Sequence, residues 1–426
     1  MRLSRTTYPG ARRPSAVGVV HLGLGAFHRA HQAVYTEEAM AATGDDRWGI
    51  CGATQRSTTV ADQLGPQDGL YTVSTGGPPQ VVGAITEVLP PGDERLTAAL
   101  AHPGTRVVTL TITEKGYAPG SPAVAALVAG LRARARADAG PITVLSCDNL
   151  PGNGAVLAGL VRAAAGDGLA EWIAGQVRFP SSVVDRMVPA TTPEDLAEVA
   201  RRLGLEDRGA VVAEPFRQWV IEDDFAGERP AWERAGALLV ADAEPYERMK
   251  LRLLNGSHSM LAYLSRHEYV RDAVAELAEP VAGLMEEVTP TLGALPGFDL
   301  DAYKASLLER FANPRLRHRT AQIAADGSQK LPQRLLDPAR ELLAAGREPR
   351  WIARAVAGWM RYVTTASTLD DPLADRLRVP EPDKVVLTVD RLLAVSAVFG
   401  EDLPADQVFR DLVTESLAEL IADSTG

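Results

Sequence analysis

Lysine, asparagine and histidine recur at short spacing in one apolar stretch of the sequence, where they could carry out acid–base chemistry. The stretch reads Lys250-Leu-Arg-Leu-Leu-Asn255-Gly-Ser-His258 and follows Glu247. At about 100° per residue, an α-helix places these four polar side chains within a sector of roughly 140°. A buried lysine can serve as a general acid or base, and an asparagine amide can hold a developing alkoxide. The alternative is a surface helix with ordinary contacts between residues three and four apart.

A strand followed by Gly-x-Gly and a helix is typical of a dinucleotide site. The segment VVHLGLGAFH has this pattern at positions 19–28. Glycines let the backbone turn tightly and approach a pyrophosphate, which the N-terminus of the next helix stabilises. The third glycine of the usual fingerprint is replaced by His28, and Gly-x-Gly after a strand is also an ordinary tight turn. The candidate cofactor-binding residues here are Gly23, Leu24, Gly25, Ala26 and Phe27.

The end of the second predicted strand bears on which dinucleotide binds. In NAD-binding domains, a carboxylate at this point accepts hydrogen bonds from the ribose hydroxyls. Here the strand Gly49–Ala53 is followed by Thr-Gln-Arg-Ser, and the first carboxylate is Asp62. Arg56 could pair with the 2′-phosphate of NADP, or it could be an ordinary surface charge. NAD is the expected cofactor, with NADP as the alternative.

Polar residues lie at or near the ends of three more predicted strands, at the edge where open α/β sheets bind ligands. Asn149 ends the segment VLSCDN, Thr113 begins TEKGY, and Asp185 lies in VDR. Asn149 could meet the nicotinamide end of a cofactor or the substrate oxygen. The residues around it also form a good turn sequence.

The order of predicted elements indicates two domains. Short β-branched runs alternate with alanine-rich segments in the first part, whereas from Glu244 onward the apolar residues recur at helical spacing. We predict a doubly wound α/β, Rossmann-type domain over residues 1–240 and a mostly α-helical substrate and catalytic domain over residues 241–426, with the reaction in the cleft between them. The predicted strands are Val17–Leu22, Gly49–Ala53, Val107–Thr113, Ile142–Cys147 and Ser182–Val188. The predicted helices are Phe27–Ala42, Ala123–Ala137, Ala155–Ala165, Thr192–Leu203, Glu247–Ser265, Asp272–Glu287, Leu300–Phe311, Pro338–Ala345, Arg350–Thr365 and Asp383–Val398.

Composition excludes several classes of protein. The chain has 426 residues, 46% hydrophobic and 23% charged, as in soluble proteins of two or three domains. Its 44 basic and 55 acidic residues give a net charge of −11, which disfavours nucleic acid and acidic membranes as partners. Two cysteines are too few for a disulfide framework, so a cytoplasmic setting is expected. No apolar run reaches the roughly 18 residues of a transmembrane helix.

Other catalytic apparatus is not indicated. His21, His28 and His31 are close in sequence, but they fall in different elements, so no metal site is predicted. No Gly-x-Ser-x-Gly motif of a serine hydrolase occurs. The N-terminal apolar run contains His21, which argues against a signal peptide. The Arg-rich stretch Leu131–Ala137 is predicted to be a solvated helix face.

Together, these segments resemble the polyol-specific long-chain dehydrogenase family, which includes mannitol dehydrogenases, arabinitol dehydrogenases and hexuronate reductases. The resemblance extends from GLGAFHRAHQ at positions 23–32 to DGSQK at positions 326–330. The family pattern Lys-x-x-x-x-Asn-x-x-His is met by Lys250, Asn255 and His258. The resemblance implies a metal-independent, NAD(P)-dependent oxidoreductase that acts on CH–OH groups.

The resemblance also implies roles for the site residues. Lys250 would be the catalytic acid or base, Asn149 and Asn255 would polarise the reacting oxygen, and His258 would help to orient the substrate. The remaining matches are Glu247, at a carboxylate position near a proton path, and Asp185, at another polar position of the active site.

Two segments bear on the substrate. FRQWVIED at positions 216–223 and HRTAQI at positions 318–323 look most like the D-mannonate oxidoreductases, also called fructuronate reductases. Mannitol dehydrogenases tend to carry an arginine where Gln322 aligns, whereas the matching lysine is retained as Lys330. For the carboxylate of a uronate, the candidate partners are Arg319, Lys330 and Arg217.

The resemblance therefore implies interconversion of D-fructuronate and D-mannonate. A mannitol or arabinitol dehydrogenase or a tagaturonate reductase is the alternative within the family. A dinucleotide-binding redox sensor without turnover is the non-enzyme alternative. The expected partner is a small sugar acid or polyol, and the expected assembly is a monomer or a small homo-oligomer.

Overall fold

The computed structural model describes residues 1–314, 318–379 and 384–423. The chain divides into two compact units, Met1–Glu244 and Pro245–Gly426. The strands lie in the first unit, and the second unit is built from helices. Over the ranges described, no helix is both long and apolar enough to span a bilayer.

A six-stranded parallel sheet forms the centre of the first unit. In chain order, the strands of this unit are β1 Val17–Leu22, β2 Gly49–Ala53, β3 Tyr71–Ser74, β4 Gln80–Val82, β5 Ile85–Leu89, β6 Val107–Leu110, β7 Ile142–Ser146, β8 Val177–Arg178, β9 Ser182–Asp185, β10 Val211–Val212, β11 Gln218–Glu222 and β12 Leu238–Val240. The central sheet has the order β5-β2-β1-β6-β7-β8, and all its neighbours are parallel. The chain leaves β1 toward β2 on one side and returns as β6 on the other, so the C-terminal ends of β1 and β6 form a topological switch point. The predicted Rossmann-type fold is confirmed.

Helices cover both faces of this sheet. The α-helices of this unit are α1 Ala26–Ala30, α2 Gln32–Thr43, α3 Thr59–Leu64, α4 Arg95–Ala101, α5 Pro122–Arg136, α6 Asn153–Ala165, α7 Asp167–Gln176 and α8 Pro193–Leu203. Successive side chains of β1 enter different cores, since Val19 packs in a cluster with α2 and Val20 packs in a cluster with α5 and α6. This burial on both faces is why the central strands read as continuous apolar runs.

Three predicted elements of the first unit differ from the structure, and the first of them, the predicted strand Val107–Thr113, ends at Leu110. The predicted helix Phe27–Ala42 is interrupted at His31, whose φ of −125° and ψ of −89° separate α1 from α2. The predicted strand Ser182–Val188 ends at Asp185 and lies outside the parallel sheet. It pairs antiparallel with β11 in a small sheet of order β12-β11-β9. Pairing with a strand more than thirty residues away is not visible in local sequence periodicity.

The Arg-rich stretch Leu131–Ala137 is only in part the solvated face that its composition predicts. Arg134 is fully buried, whereas Arg132 and Arg136 are exposed. Leu131 and Arg134 are three residues apart on α5 and so share its buried face. Carbonyl groups at helix ends lack partners within the helix, and a guanidinium can satisfy several of them. Arg134 donates hydrogen bonds to the backbone carbonyls of Leu100, His102, Ala139, Gly140 and Pro141.

The second unit consists of helices joined by short turns. Its α-helices are α9 Glu244–Met249, α10 Gly256–Leu264, α11 Val270–Val288, α12 Leu300–Phe311, α13 Thr320–Ala324, α14 Gly327–Leu331, α15 Asp337–Ala344, α16 Arg350–Thr365, α17 Ala374–Leu377, α18 Val385–Leu393, α19 Ser396–Phe399 and α20 Gln407–Ala422. Helix α10 is buried along its whole length and packs against α11, α13 and α16. The predicted helix Asp383–Val398 is two helices, α18 and α19, and its first residue lies outside the described ranges.

Two π-helical turns interrupt these helices, at Lys250–Asn255 and at Pro332–Leu336. The predicted helix Glu247–Ser265 is therefore α9, a π turn and α10 in succession. In the first turn, the amide of Gly256 donates to the carbonyl of Leu251, five residues earlier. Turns of this kind are rare and occur frequently at functional sites.

Candidate active site

The first glycine of the Gly-x-Gly segment is required by the structure. Gly23 has a φ of +97°, and a Cβ at this position would lie 2.1 Å from the carbonyl oxygen of Thr111. Gly25 is the N-cap of α1, and the nearest atom to a Cβ there would be the Gly23 oxygen at 3.6 Å. The turn therefore needs Gly23, whereas Gly25 leaves open space at the surface. An open backbone surface after β1 fits a bound pyrophosphate.

Hydrogen bonds fix this turn to the neighbouring strand. The hydroxyl of Thr111 donates to the carbonyl of Gly23 at 2.8 Å. The ring of His21 contacts Thr111 Oγ1 through Nε2 at 2.9 Å and Thr109 Oγ1 through Nδ1 at 2.8 Å. The ends of β1 and β6 are thereby joined by side chains as well as by the backbone ladder.

Three buried histidines lie behind the glycine turn. The rings of His21 and His28 stack with their centroids 3.4 Å apart. His31 faces the carbonyl of Gln218 through Nε2 at 2.8 Å. Burial lowers the pKa of His21 and of His31 to about 3, and it lowers the pKa of His28 well below its usual value. All three are therefore neutral at physiological pH. In the part of the chain that the structure describes, no three His, Cys, Asp or Glu side chains are grouped as metal ligands.

The loops after β6 and β7 are joined by Asp148. Its Oδ1 accepts the amide of Thr113 at 2.8 Å, and its Oδ2 accepts the amide of Ile112 at 2.9 Å. Burial raises the pKa of this carboxyl group, although the hydrogen bonds that it accepts oppose the shift. The next residue, Asn149, is exposed at the C-terminal edge of the sheet. Thr113 and Asn149 thus come from adjacent loops at the edge where the sequence predicted ligand contacts.

Asn153 is a positioning residue that the sequence did not reveal. Its Nδ2 donates to the carbonyls of Asp148 and Ser182, at 3.0 and 2.8 Å. Its Oδ1 accepts the amide of Ser182 at 3.1 Å. It therefore links the loop of Asn149 to strand β9, which ends at the buried Asp185. Its place as the first residue of α6, after a turn sequence, masked this function.

Arg56 and Arg217 occupy different environments in the first unit. Arg56 is exposed in the loop after β2. Arg217 forms an ion pair with Glu38, with 3.0 Å between Nη1 and Oε1, and its guanidinium lies 4.4 Å from the ring centroid of Tyr35. Arg217 is therefore engaged within the unit, which leaves it less suited than predicted to a substrate carboxylate.

In the second unit, the π turn changes the geometry expected for the Lys–Asn–His motif. Lys250 and Asn255 are the first and last residues of this turn, and both are half-buried. Residues five apart are about 140° apart on an α-helix, whereas in a turn bonded from residue i to i+5 they lie more nearly above one another. The angles predicted for an unbroken α-helix are wrong here, and the correction brings Lys250 and Asn255 closer. Glu247, one turn earlier, is half-buried on α9.

His258 is buried with three basic side chains near it. It is buried on α10, and its ring contacts the rings of Phe311 and His318, with centroids 4.8 and 4.9 Å away. Burial lowers its pKa well below the usual value, and nearby positive groups lower it further. The positive groups are Arg334, Arg310 and Lys250, whereas His318 is itself a histidine whose pKa burial lowers.

Arg310 and Arg334 are the residues of this site that sequence reasoning missed. Arg310 is buried near the end of α12. Arg334 lies on the second π turn, and its Nη1 donates to Ser259 Oγ at 3.2 Å and to the carbonyl of Asn255 at 3.5 Å. Arg334 is four residues after Lys330, so extending the DGSQK segment along the chain would have found it. Arg310 carried no comparable signal.

The predicted substrate residues on α13 and α14 are less closely grouped. Lys330 Nζ donates to the carbonyls of Ile323 and Ala325, at 3.3 and 2.5 Å. Gln322 is exposed. Arg319 is paired with Glu268 at 3.3 Å, and more than half of each side chain is exposed. An exposed pair of this kind contributes little electrostatic energy.

A parallel sheet with a glycine turn at its switch point is typical of a dinucleotide-binding domain, and the helical unit carries the Lys250, Asn255 and His258 motif. The Mannitol dehydrogenase Rossmann domain matches residues 17–234, and the Mannitol dehydrogenase C-terminal domain matches residues 242–421. The chain belongs to the mannitol dehydrogenase family.

The relatives of this chain are named for different substrates. D-mannonate oxidoreductase of Escherichia coli (strain K12) is 43% identical over 94% of this chain and 93% of its own. Mannitol 2-dehydrogenase of Phaeosphaeria nodorum is 35% identical over 99% of this chain and 82% of its own. The structure of Pseudomonas fluorescens mannitol 2-dehydrogenase, a ternary complex with NAD and D-mannitol, is 33% identical and superimposes with a TM-score of 0.80 over 99% of this chain and 97% of its own.

The buried histidines predict a specific dependence of stability on pH. Their pKa is depressed in the folded protein, so only the unfolded chain gains protons as the pH falls below about 6.5. Their stabilising contribution is therefore complete above that pH and is lost as the pH falls toward the folded value. His28→Phe keeps a ring against His21 but removes one titrating group. We expect the free energy of unfolding to fall less steeply in this variant, by about 1.4 kcal/mol per pH unit below pH 6.

Urea unfolding at pH 7, 6 and 5, followed by circular dichroism, measures this difference. His102→Phe is the matched control, because His102 is an exposed histidine of the same unit. It should keep the wild-type slope. Equal slopes for His28→Phe and the wild type would contradict the assignment of a neutral, buried His28.

Proposed function

We propose that this protein is an NAD-dependent oxidoreductase that interconverts D-fructuronate and D-mannonate. The observation that carries the proposal is that Arg310 and Arg334 lie near His258 in the helical unit that carries Lys250 and Asn255, because a sugar acid brings a negative charge that a polyol lacks. The similarity to D-mannonate oxidoreductase over nearly the whole chain supports the same substrate.

The first unit would hold the dinucleotide. Gly23, Leu24, Gly25, Ala26 and Phe27 would line the pyrophosphate, with Thr113 and Asn149 nearer the nicotinamide. The open space beside Gly25 fits this group. When bound, NAD accepts or supplies the hydride at the reacting carbon. NAD is favoured over NADP by the ternary complex of the mannitol 2-dehydrogenase relative, although Arg56 is placed in the loop where a 2′-phosphate would be read.

Lys250 would move the proton of the reacting hydroxyl group. In reduction of the ketone it donates a proton to the oxygen, and in oxidation of the alcohol it removes one. Asn149 and Asn255 would donate amide hydrogen bonds to the same oxygen and stabilise its partial negative charge. The neutral His258 would orient the substrate, while Glu247 would lie near the proton path and Asp185 near the bound sugar.

Arg310 and Arg334 are two further candidates for binding the substrate carboxylate, besides the three residues predicted from sequence. Arg310 is buried, so its charge is weakly screened by solvent. Arg334 approaches Asn255 and Ser259 directly. Arg319 and Arg217 pair with glutamates, whereas Lys330 and Arg334 both donate to backbone carbonyls. A planar guanidinium also matches a carboxylate in shape.

Mannitol, arabinitol and tagaturonate remain the alternative substrates within the family. Lys330, which matches a lysine of mannitol dehydrogenases, favours a polyol. The dinucleotide-binding sensor is less well supported, since binding alone would not require Lys250, Asn255 and His258.

Lys250→Ala tests the proposed acid–base step. Turnover should fall by about 10²- to 10⁴-fold, because proton transfer then depends on water. NADH affinity should change little, since Lys250 acts on the reacting oxygen. The measurements are steady-state NADH oxidation and NADH binding by fluorescence. Lys304→Ala is the control: it removes a lysine that pairs with Glu286 and Asp301, at 2.6 and 3.0 Å, and it should leave turnover unchanged. Wild-type turnover in Lys250→Ala would contradict the proposed role of Lys250 as the acid or base.

A substrate panel tests the proposed specificity. We expect NADH oxidation to be fastest with D-fructuronate and slower by at least about 100-fold with D-fructose, because a site that binds a carboxylate discriminates strongly against its absence. D-Tagaturonate separates recognition of the carboxylate from recognition of the sugar stereochemistry. NADPH is run in parallel, and a preference for it would assign Arg56 to the 2′-phosphate. Activity with fructose alone would place the protein among the mannitol dehydrogenases.

A further inference from the structure

Thr113 has a backbone conformation that is essentially reserved for glycine. Its φ is +64° and its ψ is +161°. Residues other than glycine that adopt this region are strained, and they persist only where the surroundings impose the conformation. Thr113 is also β-branched, which makes a positive φ especially unfavourable. In the described ranges, the other non-glycine residues with positive φ are aspartates, which tolerate it better: Asp68, Asp138 and Asp326.

The carboxylate of Asp148 imposes this conformation. It accepts the two successive amides of Ile112 and Thr113, at 2.9 and 2.8 Å, one on each oxygen. The hydroxyl of Tyr117 donates to Oδ2 at 2.8 Å. The amide of Gly116 donates to the carbonyl of Thr113, also at 2.8 Å, and fixes the far side of the strained residue. Asp148 is only 8% exposed, so water competes weakly for these bonds.

The strained residue lies beside the glycine turn. Thr111, two residues earlier, donates its hydroxyl to the carbonyl of Gly23. Residues 111–113 follow β6, and Gly23 follows β1, so the strain occurs at the switch point of the parallel sheet. Ligands of open α/β sheets bind at such points, and strained backbone is characteristic of ligand clamps.

We propose that Asp148 is a positioning residue for the dinucleotide, which acts by holding residues 112 and 113 in the backbone conformation that the bound cofactor requires. The inference rests on the proposed function, in which the first unit binds NAD. It adds that Asp148, for which the sequence predicted no role in binding, sets the affinity for the dinucleotide. Without this clamp, Thr113 relaxes to an ordinary conformation, and binding must restore the strained one. Such preorganisation affects affinity rather than the chemical step of the bound complex.

Asp148→Asn is the first variant. The asparagine has the same size, but its one amide oxygen cannot replace both carboxylate oxygens, and its NH₂ group is a donor. We expect the dissociation constant for NADH to rise by about tenfold or more, given the usual cost of such strain. At saturating NADH, kcat should remain within about threefold of the wild type, because the strained conformation is restored once the cofactor is bound.

A second substitution separates positioning from general stability. Thr113→Gly in the Asp148→Asn background should restore most of the lost NADH affinity, because glycine adopts this conformation without strain. A merely structural role of Asp148 predicts no such rescue. The matched control is Asp207→Asn: Asp207 is a buried aspartate of the same unit that accepts the amides of Thr72 and Gly209, at 2.7 and 2.8 Å. This variant should lower the melting temperature and leave NADH affinity unchanged.

Fluorescence titration of the purified full chain with NADH and NADPH decides between the outcomes. Wild-type NADH affinity in Asp148→Asn overturns the inference and leaves the proposed function intact. The inference is also overturned if Thr113→Gly fails to restore NADH binding in the Asp148→Asn background. It is likewise overturned if Asp207→Asn loses as much NADH affinity as Asp148→Asn. A wild-type protein that binds neither dinucleotide overturns the proposed function, and this inference with it.

Discussion

The close approach of Gly23 to the carbonyl of Thr111 is the constraint on which the first unit depends. A side chain at position 23 would collide with the backbone after β6, so only glycine allows β1 and β6 to end side by side. The hydrogen bonds of His21 and Thr111 then hold the two strand ends together. Because the switch point of the sheet lies between these strands, the candidate cofactor site is a direct product of this packing.

In the second unit, the candidate catalytic residues depend on a local change from α-helical to π-helical geometry. Helix α9 passes into α10 through a π turn, and the polar residues of the motif begin and end that turn. Helix α10, which follows the turn, is wholly buried. Its packing keeps the turn in place although π-helical turns are rare. The two arginines near His258 are Arg310, from α12, and Arg334, from a second π turn. The candidate catalytic residues and the buried helix that packs the second unit therefore lie in one continuous segment, residues 250–264.

The sequence was informative where a pattern is local. The bounds of β1, β2, α12 and α16 agree with prediction because short apolar runs and helical spacing are set by neighbouring residues. The placement of β9 beside β11 and the burial of Arg134 depend on partners distant in the chain or on unpaired carbonyls. The π turn was missed because its residues fit an ordinary α-helix equally well, and Arg310 and Arg334 were missed because their positions depend on how separate helices pack. The assignment of catalytic residues remains a prediction.

The π turn also has a consequence for comparing homologous chains. A π turn holds one residue more than the α-helical turn that it replaces. Loss of a single residue between Lys250 and Asn255 would therefore yield a regular helix that still packs, while the lysine and the asparagine would face different directions. A relative could keep every motif residue and lose the arrangement through one gap. In aligned sequences of this family, the exact number of residues between the lysine and the asparagine thus carries as much information as their identities.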